Sequence, residues 1–291
     1  MKKLLKKAYL LIPFKKEIFI VIKWIFRPGH SIYKHLYFKG SIKVKIESDK
    51  SFRMQHYGYS LENDLFWKGI TGRWEKHSMQ AWISLSREAK VIFDIGANTG
   101  IFSLVSKTLN PKAKVLAFEP VERIFKKLET NVKMNHYDIV CYPKAVSDKS
   151  GEAIFYDSSS EHIYTVVINK DLSNDNRYYP VKVPIITIDE VIEQQNLTSV
   201  DLLKIDVETH EPEVLTGFSM IQKFKPTLLV EILDDSIGKR VQEVLENHGC
   251  NYLYFDIDEG KGFKKTENIR KSSGFNYLVC TETVAKNLQI L

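Results

Sequence analysis

Four carboxylates and a histidine fall within ten residues of this chain, Lys204 to Glu213 (KIDVETHEPE), directly after the largely apolar run Val200-Asp201-Leu202-Leu203. Crowded carboxylates resist joint ionisation, so the cluster should raise at least one pKa, and a carboxylate with a raised pKa suits general-base work. Asp206 and Glu208 stand at the carboxyl end of what reads as a buried strand. His210 is the other candidate base, since an unperturbed imidazole titrates at about 6.5. Glu211 and Glu213 flank Pro212, where acids and proline start a helix for capping and dipole reasons alone. Lys204, two residues before Asp206 on the same strand face, is placed to neutralise it. A divalent metal held by Asp206, Glu208 or His210 is the alternative, but no matching ligand cluster is visible elsewhere, so no metal is expected.

A second group of residues lies at the turn VIFDIGANTG, Val91 to Gly100. Gly96 and Gly100 bracket a tight turn where absent side chains let a ligand approach the backbone, and a helix N-terminus follows. Glu119 ends the next apolar strand, where an acid can accept hydrogen bonds from both hydroxyls of a ribose. Asn98 and Thr99 taken singly read as helix caps. The set Asp94, Gly96, Asn98, Gly100 and Glu119 reads instead as a site for an adenosine-containing cofactor. Dinucleotide sites use G-x-G-x-x-G to touch a pyrophosphate, whereas this turn lacks the middle glycine and carries Asp94 beside it. An acid there repels phosphate and favours a cationic ligand, and S-adenosylmethionine has a sulfonium and an ammonium group but no phosphate.

The elements that position these residues alternate. Apolar strands at Val91–Ile95, KVLAFEP, IVCYPKAVS, VDLLKID and TLLVEIL are separated by helical stretches, which implies a parallel α/β sheet covered on both faces. The last two strands, CNYLYFDID and FNYLVCT, have only the glycine- and lysine-rich EGKGFKKTENIRKSSG between them, so the final strand should run antiparallel. Ligands in such sheets bind beyond the carboxyl ends of the strands near the switch point, here between the first and fourth strands.

The segments WEKHS, VIFDIGANTGIFSL, VLAFEPVERIFKKLETNVKMN, KAVSDKSGEAIFY, IDEV, LLKIDVETHEPEVLTGF and TLLVEI resemble, in order and spacing, the FkbM-type S-adenosylmethionine-dependent methyltransferases, over Trp74 to Cys280. The resemblance implies a Rossmann-like class I methyltransferase sheet of order 3-2-1-4-5-7-6, and that Glu75 and Val146 also approach the cofactor. It implies O-methylation of a small-molecule or glycan acceptor, on a hydroxyl of a sugar, polyketide or other secondary metabolite. Thr209 departs from the family, which commonly has glycine there. An NAD-dependent oxidoreductase would share the sheet and the ribose acid but lacks support from the glycine spacing. A non-catalytic membrane-associated protein would use only the basic N-terminus.

That N-terminus is the remaining feature. The net charge is +6, yet residues 1–40 hold ten Lys and Arg against the single acid Glu17, a local +9 that leaves −3 for the rest of the chain. A catalytic domain of that sign is not expected to bind nucleic acid. IFIVIKWIF (Ile18–Phe26) is too short to span a bilayer, and Lys15-Lys16 after Ala8–Phe14 is no cleavage site. As a helix it places Lys16, Lys23 and Arg27 on one basic stripe, which suits either an anionic membrane interface or a helix packed on the main domain. The expected domains are 1–40, a basic amphipathic segment; 41–90, a cover of short strands and helices; and 91–291, the methyltransferase domain. ENDLFWKGITGRWEKHS within the cover reads as a surface loop or short helix. The cover segment Tyr57–Ser78 and the insertion Tyr156–Tyr179 are expected to shape the acceptor pocket. Three scattered cysteines fit a reducing compartment, the cytoplasm, with peripheral contact at the inner face of the membrane if the N-terminal helix binds it.

Overall fold

The computed structural model describes residue 9 and residues 12–158, 178–258 and 260–291, and most of the Tyr156–Tyr179 insertion lies outside them. The chain forms two compact units, Met1–Trp74 and Glu75–Leu291.

In the N-terminal unit, β1 (Gly40–Lys45) and β2 (Ser51–His56) pair antiparallel, and their period-2 patterns place Ile42 opposite Met54 and Val44 opposite Phe52, all four buried. The helix Ser60–Lys68 lies inside the segment read as a surface cover, yet it buries Leu65, Phe66 and Trp67 together with Glu62, Asn63 and Asp64. Two of the buried polar groups are held by Tyr33 and Arg73: Tyr33 donates to Asp64 at 2.8 Å, Arg73 pairs with the other oxygen at 2.8 Å, and Asn63 donates to the Tyr33 carbonyl. Residues 1–40 are therefore not a separate segment. Phe19 of the helix Lys15–Ile25 packs its ring, tilted, against Phe38 and Trp67, and Lys23 turns inward to the Phe66 carbonyl. The basic stripe expected from Lys16, Lys23 and Arg27 is broken by that inward turn.

The second unit begins with the helix Lys76–Ser86, so the boundary expected after residue 90 lies at 74/75 instead. Trp82 decides this. It is fully buried, meets Phe102 edge-to-face at 5.2 Å, and donates its indole N–H to the Phe102 carbonyl and Ser106 Oγ. The central sheet contains β3 (Val91–Ile95), β4 (Lys114–Phe118) and β5 (Ile139–Tyr142). Beyond β5 the chain leaves this sheet: Pro143 has no N–H to give the ladder, and the strand expected over IVCYPKAVS splits. Its second half, β6 (Ala145–Val146), joins β7 (Gly151–Ser158) and β8 (Tyr178–Ile186) in a separate sheet of order β6-β8-β7. The chain returns through β9 (Leu202–Ile205), β10 (Thr227–Glu231), β11 (Leu253–Asp258), β12 (Gly262–Thr266) and β13 (Asn276–Cys280).

The resulting order is β12-β11-β13-β10-β9-β3-β4-β5. Leaving aside β12, an added hairpin strand where the sequence suggested only a loop, this is the 3-2-1-4-5-7-6 order of class I methyltransferases, with β13 antiparallel to both neighbours. The strands that carry the candidate residues are buried on both faces, which explains their unbroken apolar runs. Replacing Trp82 by alanine should cost about 3–5 kcal/mol, the usual range for deleting a buried large aromatic. Urea denaturation should show it, and a loss below about 1 kcal/mol would mean that this helix is not part of the core.

Candidate active site

The first strand-to-helix turn is built by backbone constraint. Gly96 has φ 79° and Gly100 φ 88°, both left-handed, and Asn98 adopts φ 52°. A side chain at Gly96 would place its Cβ 1.8 Å from the Asp206 carbonyl oxygen, so the turn after β3 rests directly on the end of β9. The N–H groups of Gly96 and Ala97 donate to the Phe118 carbonyl, and Asn131 donates to the Thr99 carbonyl. Asp94 is buried and accepts from both the N–H and the hydroxyl of Ser103, at 2.9 and 2.6 Å. It thus caps the third residue of the helix Ile101–Leu109 from the neighbouring strand, the site where a phosphate would seek donors. Burial pushes its pKa up to about 6, against the pull of these bonds.

Glu119 is buried at the end of β4, where its two oxygens accept from the N–H groups of Asn98 (3.0 Å) and Val121 (2.9 Å). Each carboxylate oxygen keeps a second lone pair for a ribose hydroxyl. Burial raises its pKa to about 7. Among the described residues, Asn98 Oδ1 and Thr99 Oγ1 are buried without hydrogen-bond partners. Orphaned polar atoms beside a glycine turn and a ribose acid fit a nucleoside-type ligand. The residues that would hold S-adenosylmethionine are therefore Asp94, Gly96, Asn98, Gly100 and Glu119. Val146 is buried in the core, paired with Ile186, and Glu75 lies close enough to Lys204 for its charge to be felt.

The second half of the site assembles from three strands. Oxygens of Asp206, Glu208 and Glu231 lie within 4.8 Å of one another. Glu231, at the end of β10, is the residue that sequence reasoning missed, since it reads as one acid closing an apolar strand. Its position opposite Asn276 of β13 and beside β9 appears only in the sheet register. Burial first, then the Asp206 charge, pushes Glu231 up to about 10; within the run Lys204 to Glu213, Glu211 is pushed up to about 7, again chiefly by burial. Lys204, 1% exposed, balances the group by pairing with Asp206 at 3.2 Å and donating to Asn276 Oδ1 at 3.1 Å. The three carboxylates also form an oxygen donor set of the type a divalent cation takes, for which the sequence offered Asp206 and Glu208 but not Glu231.

His210 is placed differently. Its ring nitrogens face Ser147 Oγ at 2.9 Å and Glu213 at 3.4 Å, and burial lowers its pKa despite the nearby carboxylates. Glu211, expected only to start a helix, is buried and accepts from the N–H groups of Val207 and Thr209. It thereby holds the loop that carries Glu208. That loop is strained: Glu208 has φ 54° and Thr209 φ 77°, a left-handed region that a β-branched residue rarely adopts and that explains a preference for glycine.

The family model for the methyltransferase FkbM domain matches residues 94–258, more than half of the chain. The chain belongs to the FkbM methyltransferase family. S-adenosylmethionine is the methyl donor of this family, in agreement with the fit of the turn. The chain is similar to AMB antimetabolite synthetase AmbE of Pseudomonas aeruginosa, 28% identical over 54% of this chain and 8% of that protein. It is 26% identical to hexuronic acid methyltransferase AglP of Haloferax volcanii, over 57% of this chain and 65% of the relative. It is 28% identical to 31-O-demethyl-FK506 methyltransferase FkbM of Streptomyces tacrolimicus, over 45% and 60%. The chain therefore spans less than two thirds of the length of each of these relatives.

Two outcomes follow from this geometry. Thr209→Gly should stabilise the protein by roughly 0.5–2 kcal/mol, the relief of left-handed strain less the greater freedom of unfolded glycine; chemical denaturation showing a loss instead would mean that the threonine side chain holds the turn. Glu231 has its folded pKa raised from 4.5 to about 10, so its contribution to stability is full below about pH 4.5 and is lost as the pH rises through 10. Glu231→Gln, neutral throughout, should flatten the decline of unfolding free energy across that window. An unchanged slope would assign the decline to other groups.

Proposed function

We propose that this chain is an S-adenosylmethionine-dependent O-methyltransferase acting on a hydroxyl of a sugar, glycan or other secondary metabolite. The observation that carries the reading is the seating of Gly96 on the Asp206 carbonyl, which sets the cofactor turn beside the Asp206–Glu208–Glu231 cluster. The name of the 31-O-demethyl-FK506 methyltransferase supports oxygen as the accepting atom, and that of the hexuronic acid methyltransferase supports a sugar acceptor. When bound, S-adenosylmethionine supplies an electrophilic methyl group on a sulfonium.

The work of the chain is to place the hydroxyl and remove its proton, since an alkyl hydroxyl is a poor nucleophile at neutral pH. Asp206 and Glu208 are the candidate bases. Lys204 fixes the Asp206 carboxylate by ion pair and is itself fixed by Asn276. Glu231, protonated near neutral pH, serves as a hydrogen-bond donor that orients the acceptor or its neighbouring carboxylates, not as the base. His210 is the third candidate, behind the two acids because Ser147 and Glu213 engage its ring. An oxidoreductase reading is disfavoured because Asp94 occupies the helix N-terminus that a pyrophosphate would need. A cytoplasmic setting accords with the three free cysteines.

S-adenosylmethionine and S-adenosylhomocysteine should raise the melting temperature and NAD should not, because only a ligand of the folded state stabilises it. In titration calorimetry, Glu119→Ala should weaken S-adenosylmethionine binding by about 1.5–3 kcal/mol, for lost hydrogen bonds to a charged group; unchanged affinity would remove Glu119 from the site. Asp206→Asn and Glu208→Gln should keep cofactor affinity and lower turnover against a panel of sugar and uronic acid acceptors. Wild-type rates from both variants would transfer the role of base to His210.

A further inference from the structure

The helix Lys15–Ile25 turns its most apolar side outward. Phe14, Ile18, Val21 and Ile25, at i, i+4, i+7 and i+11, share one face, and Trp24 stands beside them at 85% exposure. Phe26 and Ile12 extend the patch, so that most of the exposed large hydrophobics among the described residues fall within this short stretch. The opposite side of the same helix is satisfied inside its own unit, by Phe19 on Phe38 and Trp67 and by Lys23 over the Phe66 ring. The outward face is therefore not what remains of a poorly packed helix. A contiguous patch of this kind on a stable unit marks an interaction surface.

Charge decides the occupant. Arg27, Lys34 and Lys39 are exposed near the patch in sequence, Glu17 is the single acid of the first forty residues, and that segment carries +9. Pairing two copies through this face would bring two strongly basic segments together, at a cost in like-charge repulsion. Anionic headgroups satisfy both features at once: bases meet phosphates while aromatic and aliphatic side chains enter the acyl boundary. Eleven helical residues span only about 16 Å, half of a hydrocarbon core of about 30 Å, so the helix lies on the surface and does not cross it.

We propose that the face formed by Phe14, Ile18, Val21, Trp24 and Ile25 seats the N-terminal unit on an anionic lipid surface. The apolar side chains give the depth of the contact and the flanking bases its preference for charge, which reverses the roles that a basic stripe on this helix would have had. The inference does not depend on the methyl-transfer reading.

Flotation of the full chain with vesicles of phosphatidylcholine, with and without phosphatidylglycerol, tests it. The protein should float with the anionic vesicles, stay behind with the neutral ones, and detach as salt shortens the Debye length. The double variant Trp24→Glu, Ile25→Glu should reduce flotation about tenfold with an unchanged melting temperature, because both side chains are exposed. The milder Trp24→Ser should give an intermediate loss if the double variant misfolds. Wild-type protein that floats with neither vesicle, or variants that float as well as it does, would overturn the proposal. So would a dimer on size exclusion that Trp24→Glu dissociates without any lipid binding, since the face would then join two copies of the chain.

Discussion

The second unit depends on a buried ammonium. Lys204 sits in the middle strand of the sheet with no access to water, where an unpaired cation would cost several kcal/mol. Its charge survives because Asp206 pairs with it and the charge of Glu75 is felt there, and these raise its pKa in spite of the desolvation that opposes them. The dependence is mutual. Without a central cation, carboxylates of Asp206, Glu208 and Glu231 could not converge at the ends of two adjacent strands. Asn276 completes the arrangement from the antiparallel strand β13, so the reversed strand contributes to the site as well as to the sheet.

The same crowding ties the cofactor turn to the acids. Gly96 packs on the Asp206 carbonyl, Asp94 lies opposite Lys204 in the β3–β9 register, and both adjoin the helix Ile101–Leu109. Asp94 accepts two bonds from that helix through one oxygen, and Glu119 accepts one from the turn and one from the start of the helix Glu122–Met134. The polar atoms that stay unengaged, Asn98 Oδ1 and Thr99 Oγ1, lie between them in sequence. A turn whose strong donors are already satisfied by acids suits a cationic nucleoside better than a phosphate.

Much of this was legible in the sequence because its physical causes are local. Parallel strands covered on both faces must be apolar throughout, so their runs stand out, and a chain without a crossover helix must reverse. Gly96, Gly100, Asp94 and Glu119 announce themselves through residue types that a turn and a strand end require. The departures share a cause too. Pro143 broke an expected strand by removing one ladder donor, and the boundary at residue 90 failed because Trp82 buries itself in the second unit. The segment 60–68 looked like part of a surface cover, but it is buried, with Asp64 and the Asn63 amide N–H held by Tyr33 inside the N-terminal unit.

The sequence by itself determined the sheet, its strand order through a family resemblance, the cofactor turn and the presence of a carboxylate cluster after the fourth strand. Each is written in periodicity, glycine placement or short spacing. Only the tertiary structure decided the partners of that cluster. Glu231 lies 25 residues beyond Asp206 and Asn276 a further 45, and strand register alone brings them together around Lys204. Likewise, helical periodicity placed Lys23 on a face with Lys16 and Arg27, but could not say which way the helix would roll. That orientation was set by Phe19 and the aromatic core of the N-terminal unit, whose burial outweighs the preference of one lysine for water.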